Sequence, residues 1–376
     1  MLIFCVFVLI LLFVVCRFPM RNATNHHAFI VVGVLSIYWG FEYINAPDME
    51  GYMEMYKLIS SDFSYIYNSL ATTVYENFEP GFLYLASLIK RLSDNYYVFQ
   101  FFLLITELSL IYKGISKSAN PEIAIFSLCI CAFIIPSLLA AMRQGLAISL
   151  FIYSFSYIIE RKYIKTFLIY IIGAFFHFSI VAMIFVPIIY WNYHRIINND
   201  YCAFFKSQWF KIVFLLFLNV LYISEISFLS KFGDVLYGLE VGKGSTGQSY
   251  VIADAVFDTD GFGIKKILEM DLCYLLVFWG KWKENSYRTI LTIIFIFYFI
   301  INAGARGIIV HRFGYYCLFP YYFLFFLSML NLHKNDIKVQ RSYSLIMFSY
   351  MAFLFIWQSL VNGDFIFEYK LLSLFL

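Results

Sequence analysis

Predominantly apolar stretches of about 15–20 residues recur along the whole chain, and that length is close to what a helix needs to cross hydrocarbon. They lie at 2–16, 28–44, 96–112, 122–140, 145–159, 163–176, 178–192, 208–224, 267–281, 288–304, 313–332 and 342–360. Several are short, so tilt or partial insertion belongs to the reading. Composition leaves no soluble alternative. Of 376 residues 62% are hydrophobic and 14% charged, against about 45–50% and about 25% in ordinary soluble domains. So few charges could not cover so much apolar surface in water.

The expected fold is therefore all-α: a polytopic integral membrane protein with about 12 transmembrane helices plus interfacial or re-entrant helices. No internal repeat and no linker divides it, so residues 1–376 read as a single transmembrane domain. The 22% aromatic content suits packing in lipid and anchoring at its interfaces. A net charge of +3 implies no nucleic-acid partner. The seven cysteines lie mostly in apolar runs. The pair Cys129 and Cys131 diverges around a helix, so these read as small buried hydrophobes, not a disulfide frame or metal site. The first run has Arg17 after it and no charge before it, the reverse of a cleavable signal, and reads as a retained span.

Basic residues set the orientation. With the N-terminus outside, the inward connections carry Arg17 and Arg21; Lys113 and Lys117; Arg161, Lys162 and Lys165; Arg195 and Lys206; Lys281, Lys283 and Arg288; Lys334, Lys338 and Arg341. Fifteen of the 27 basic residues fall in these six connections, so one orientation satisfies the positive-inside bias at each. It requires segment 79–93, with Lys90 and Arg91 after too few apolar residues to span, to be interfacial or re-entrant. The stretch 163–192 then reads as two short helices turning near His177. Two outward segments are long, 45–95 and 225–266. In the first, Asp48, Tyr52 and Tyr56 at four-residue intervals share one helix face.

Ionisable groups in or at the ends of spans are costly and need a reason. The conspicuous ones gather on the outward side: Asp48, Glu79, Arg143, His177, Arg306, His311 and Arg312. Arg143 could snorkel to an interface, but Gln144 and Gly145 beside it open the backbone there. His177 stands alone among aromatics, where a hydrogen-bonded structural histidine is as good a reading as a catalytic one. Arg306, His311 and Arg312 in one outward turn favour anion binding over simple anchoring. Asp48 and Glu79 in a solvated loop would ordinarily be surface acids.

Three other patterns are set aside. The stretch GKGSTG at 242–247 lacks the order of a phosphate-binding loop. Asp258 and Asp260 form a D-x-D in a polar loop, where acids are usually solvated. The same stretch spaces Asp258, Asp260, Gly263 and Glu269 like a calcium loop, but Phe262 stands where an oxygen ligand is needed. His26 and His27 lie on the opposite side without an acid partner. No metal or other cofactor is expected.

The succession Asp48…Tyr52, FEPGFLYL at 78–85, MRQGLAISLFIYS at 142–154 and FFHFSI at 175–180 resembles the EpsG-like members of the Wzy polysaccharide polymerases. The resemblance runs from the second span to about residue 190. It departs where an Arg-aromatic pair would precede the acid and Glu42-Tyr43 stands instead. The resemblance implies a glycosyltransferase of the bacterial inner membrane, with a GT-C-like architecture as the corresponding expectation for the fold. Such an enzyme joins oligosaccharide repeat units carried on undecaprenyl diphosphate, on the periplasmic face, with Asp48, Glu79, Arg143, Gln144 and His177 at the motif positions. The chain's own residues suit that chemistry. Guanidinium groups hold a departing diphosphate in a fork, so neither nucleotide nor metal is obligatory. The expected assignment is His177, Asp48 and Glu79 for acid–base chemistry. Arg143, Gln144, Arg306, His311, Arg312 and Tyr52 are assigned to diphosphate and glycan. Expected partners are the lipid-linked oligosaccharide as donor and acceptor, the bilayer, and a chain-length regulator. The rival readings are a transporter or flippase for lipid-linked sugars, a membrane ligase or acyltransferase of surface glycans, and a structural subunit.

Overall fold

The computed structural model describes residues 10–11, 25–43, 48–63, 78–116, 121–197, 208–223, 286–304, 313–317 and 319–320, with the short pieces 338–339, 341–342, 345–346, 348–349, 352–353 and 368–369. Nearly all of them are helical. The loop 225–266 with its three discounted patterns, the span 267–281 and most of spans 2–16, 313–332 and 342–360 fall outside the described residues.

The chain groups into two compact units, the first made of residues 1–156, 164–180 and 322–376. In it α1 (Asn25–Gly40) packs against α4 (Tyr96–Ser116), and α5 (Pro121–Ile130) packs on both. Helix α4 has 21 residues, about 31 Å at the helical rise. Among the described residues it is the one helix long and apolar enough to cross a membrane. It buries Phe99, Leu103, Leu104, Leu108, Ile111 and Ile115 completely. Its Gln100 side chain donates to Trp39 O and Glu42 O, both at 3.0 Å, answering carbonyls that the end of α1 leaves open. Just beyond, β1 (Glu42–Tyr43) pairs antiparallel with β2 (Glu368–Tyr369).

The run 122–140, expected as one span, is interrupted. Helix α5 tightens into a 3₁₀ turn at Cys131–Ile134 and restarts as α6 (Ile135–Ala140). Pro136 supplies the reason: it has no N–H, and its ring clashes with the carbonyl four residues back. Helix α7 (Met142–Ile159) follows at once, and Arg161, at φ 53°, takes the left-handed position that closes the turn into α8 (Tyr163–Phe176). The turn expected near His177 is present. Helix α8 stops there and a 3₁₀ segment, Phe178–Ile184, leads into α9 (Phe185–Ile197).

Segment 79–93 does not form a span. Its helix α3 (Pro80–Lys90) has 11 residues, about 16 Å, and packs back on α2 (Met49–Leu58). The hairpin is tied by Tyr56 Oη donating to Ser93 O at 2.7 Å and Ser87 Oγ donating to Ser60 O at 2.7 Å. Lys90 Nζ donates to Tyr56 O at 2.6 Å and Lys57 O at 3.0 Å, and Arg91 Nε donates to Ser61 O at 2.8 Å. Two cations that looked misplaced by the charge bias are thus the cap on the C-terminus of α2, where the helix dipole favours positive charge. Lys90→Met is expected to destabilise the hairpin by about 1–2 kcal/mol. Thermal unfolding of the detergent-purified protein measures this.

The second unit, residues 157–163 and 181–321, contains α9, α10 (Gln208–Ile223) and α11 (Ser286–Gly304), with α11 packed on both others. Phe185 and Phe297 approach to 4.1 Å between ring centroids, and Trp191 Nε1 donates to Ile158 O at 3.0 Å.

What the helices leave uncovered identifies their solvent. Helix α8 exposes Ile164, Leu168, Ile171 and Phe175; α10 exposes Trp209, Val213, Leu216 and Val220; α1 exposes Phe29, Ile30, Val34 and Ile37. The sets on α8 and α10 recur every three or four residues, and Phe29 and Ile30 together open a third such series on α1, which is one continuous apolar stripe per helix. Facing water these stripes would drive aggregation; facing lipid they cost nothing.

Candidate active site

Three places in the first unit converge: the residue before α3, the first turn of α7 and the residue after α8. Glu79 precedes Pro80 and is held extended, at φ −69° and ψ 143°, because proline disfavours helical backbone in its neighbour. Its carboxylate makes no cap bond to its own helix. Oε2 accepts from Arg143 Nη1 at 2.7 Å, and Oε1 meets His177 Nδ1 at 2.6 Å. The three side chains are 19%, 16% and 9% exposed, so the cluster is mostly withdrawn from water yet not sealed.

Each partner needs the others. Arg143 sits in the first turn of α7, where the helix dipole opposes a positive charge. The Glu79 carboxylate and two aromatic faces offset this, with Arg143 Cζ 4.9 Å from the Phe78 ring centroid and 5.9 Å from that of Tyr52. Tyr52 in turn packs on Phe78 and Phe82, at centroid distances of 6.0 and 5.7 Å. Burial by itself would raise the Glu79 pKa. The Arg143 charge and the bonds from His177 and Arg143 outweigh it and hold the carboxyl at about 2, below its ordinary 4.5.

That depression has a definite sign for stability. The pairing contributes in full above the unfolded value, near pH 5 and upward, and is lost as acid takes the carboxylate through its folded value of about 2. Acid titration of the purified protein should therefore show a fall in melting temperature below about pH 4 that Glu79→Gln lacks.

With Glu79 ionised, its oxygens carry no proton, so the hydrogen in the 2.6 Å contact belongs to His177 Nδ1. In the neutral imidazole this contact places the lone pair on Nε2. No hydrogen bond to Nε2 exists among the described residues.

The remaining expected residues fall in different places. Tyr52 lies beside Arg143, and Gln144 is buried immediately after it, 3% exposed. Asp48 starts α2 one turn before Tyr52, with its carbonyl accepting from Tyr52 N at 3.1 Å. The Asp48 side chain is exposed and makes no cap bond. Arg306, His311 and Arg312 fall outside the described residues. Among the described residues no three His, Cys, Asp or Glu side chains gather closely enough to hold a metal. Cys129 and Cys317 are both buried thiols, as small hydrophobes would be.

Two residues of the site were not singled out from the sequence. Phe78 supplies a ring to Arg143; its signal was adjacency to Glu79 in FEPGF. Gly81 permits the convergence itself. A Cβ there would lie 2.7 Å from Phe175 O and 2.9 Å from Phe175 Cβ, so only glycine lets the start of α3 touch the end of α8.

The order of these pieces is matched as a whole by one family profile. The profile of the EpsG family covers residues 25–371. The chain belongs to the EpsG family. The match extends the likeness past residue 190, where the motifs give out, to nearly the whole chain. EpsG is a family of Wzy-like polysaccharide polymerases, and its proteins are membrane proteins of polysaccharide biosynthesis. No curated protein and no solved structure matches this EpsG-family chain.

Proposed function

We propose that this chain is the polymerase that joins lipid-diphosphate-linked oligosaccharide repeat units at the outer face of a bacterial inner membrane, with undecaprenyl diphosphate as the carrier. The observation that carries the reading is the Glu79 carboxylate shared between Arg143 at 2.7 Å and His177 at 2.6 Å. It sets a base and a phosphate-binding cation a few ångströms apart on one anchor.

In this reading Nε2 of His177 takes the proton of the acceptor sugar hydroxyl as that oxygen attacks the anomeric carbon of the donor. The bond from that carbon to the diphosphate oxygen breaks, and the lipid diphosphate leaves as an anion. Glu79 holds the imidazole in the right tautomer and stabilises the imidazolium that forms, as the buried acid does in other acid–histidine pairs. Arg143 meets the departing charge with its guanidinium, in surroundings poor in water where the contact is strengthened. Tyr52 and Phe78 give the site aromatic faces. Arg306, His311 and Arg312 are proposed as further diphosphate-binding residues, Asp48 as a further acid–base group, and Gln144 as a substrate-binding residue. The chain acts as one membrane domain, and a chain-length regulator is a proposed partner.

A flippase for the same lipid would also need cations, but it has no use for an oriented base. His177→Ala at equal protein level is therefore the discriminating variant. Polymer should collapse to single repeat units, a loss of about 10²–10⁴-fold in transfer. Full-length ladders from His177→Ala would remove the assignment. Loss of repeat-unit translocation in its place would favour transport.

A further inference from the structure

The membrane-length helix α4 carries an acid that the proposed reaction does not use. Glu107 is wholly buried, and both of its carboxyl oxygens lack a hydrogen-bond partner among the described residues. The location of one oxygen is informative. A Cβ built on Gly145 would lie 2.9 Å from Glu107 Oε1 and 2.8 Å from Leu138 O, so both oxygens border the bare face of that glycine. Leu138 belongs to α6 and Gly145 to the first turn of α7, two residues after Arg143. No arginine, lysine or histidine pairs with Glu107 among the described residues. A carboxylate and a carbonyl can only accept, so neither satisfies the other, and an isolated carboxylate in a dry core is not sustainable.

We propose that Glu107 is a neutral carboxylic acid whose hydroxyl donates into the α6–α7 turn, to the carbonyl of Leu138, and so positions Arg143. The neighbouring bonds fit this. Leu138 O already accepts from Ala141 N at 3.2 Å, and a carbonyl oxygen has a second lone pair to offer. Gly145 N donates to Ala141 O at 2.7 Å, so the turn is bonded along its length and one added bond fixes its attachment to α4. Glycine at 145 is required because a side chain there would crowd both oxygens, at 2.8 and 2.9 Å from its Cβ. Glu107 touches no substrate; it is a positioning residue, and its role in turnover rests on the polymerase reading above.

The test uses the full chain in lipid vesicles and two readouts. Infrared difference spectra of wild type against Glu107→Gln at neutral pH should show the C=O stretch of a protonated carboxylic acid, present in wild type and missing in the variant. A carboxylate band in its place overturns the proposal. The second readout is polymer ladders at equal protein level. Glu107→Gln, which keeps a neutral donor of the same size, should retain most polymer, whereas Glu107→Leu should lose about 10²-fold through misplacement of Arg143. Equal ladders from Glu107→Leu and wild type, or equal losses from the Gln and Leu variants, overturn it as well. Failure of the polymerase reading leaves the infrared band in place, so the two outcomes are separable.

Discussion

Glu79→Gln is expected to reduce polymer formation about 10³–10⁴-fold while leaving the protein in the membrane at near-normal level. The size follows from what an amide does in this position. The carboxylate accepts twice, from Arg143 Nη1 and from His177 Nδ1. A carboxamide has one oxygen and one NH₂. With its oxygen toward Arg143, the NH₂ faces Nδ1 and forces the imidazole to carry its proton on Nε2, where the base is needed. With the amide turned the other way, the NH₂ is pushed against a guanidinium. In the first orientation the general base is disabled; in the second the imidazole keeps its tautomer but Arg143 loses its anionic partner, although the volume of the side chain is unchanged. The measurement is ladder length and turnover with the lipid-linked repeat unit, against protein quantified in the same membranes. Turnover within a few fold of wild type would show that Glu79 is not the anchor.

The second large effect is Gly81→Ala. Local propensity predicts a gain, since alanine in a helix is favoured over glycine by about 1 kcal/mol. The tertiary contact predicts a loss. The added methyl would stand 2.7 Å from a backbone carbonyl oxygen and 2.9 Å from a Cβ, neither of which can swing aside as a long side chain could. The start of α3 must then move off the end of α8. A shift of about 1 Å is enough to break a short hydrogen bond such as Glu79 to His177, at a cost near 10²-fold in rate. Gly81→Ala is thus expected to lower turnover about 10²-fold in a protein that still folds, and Gly81→Val to lower it further. If Gly81→Ala turned over like wild type, the approach of α3 to α8 would not govern the site.

Much of the architecture was legible because it rests on local pattern. Run length marks the helices, and it found the ends of α4, α7, α8 and α10 to within a few residues. The shortness of α3 and the break at His177 were likewise readable, from Lys90 and Arg91 behind a short apolar run and from the charges flanking 163–192. The interruption of 122–140 was missed because hydropathy is blind to the missing N–H of Pro136, which only a backbone argument registers. Lys90 and Arg91 constrain the topology from sequence; that they cap α2 depends on partners 30 and 34 positions away.

The same divide runs through the site. Composition and spacing determined that this chain lives in lipid, which residues are too costly to be there without a purpose, and which order of motifs it carries. They left Asp48 and Glu79 as equal acids and His177 as an ambiguous imidazole. Only the packed structure separated these, because a side chain's chemistry depends on distance to partners remote in sequence. Glu79 meets Arg143 and His177 from 64 and 98 positions away, while Asp48 stays exposed at the start of α2. Glycine 81, invisible to any reading of charge or hydropathy, decides whether those distances can be reached.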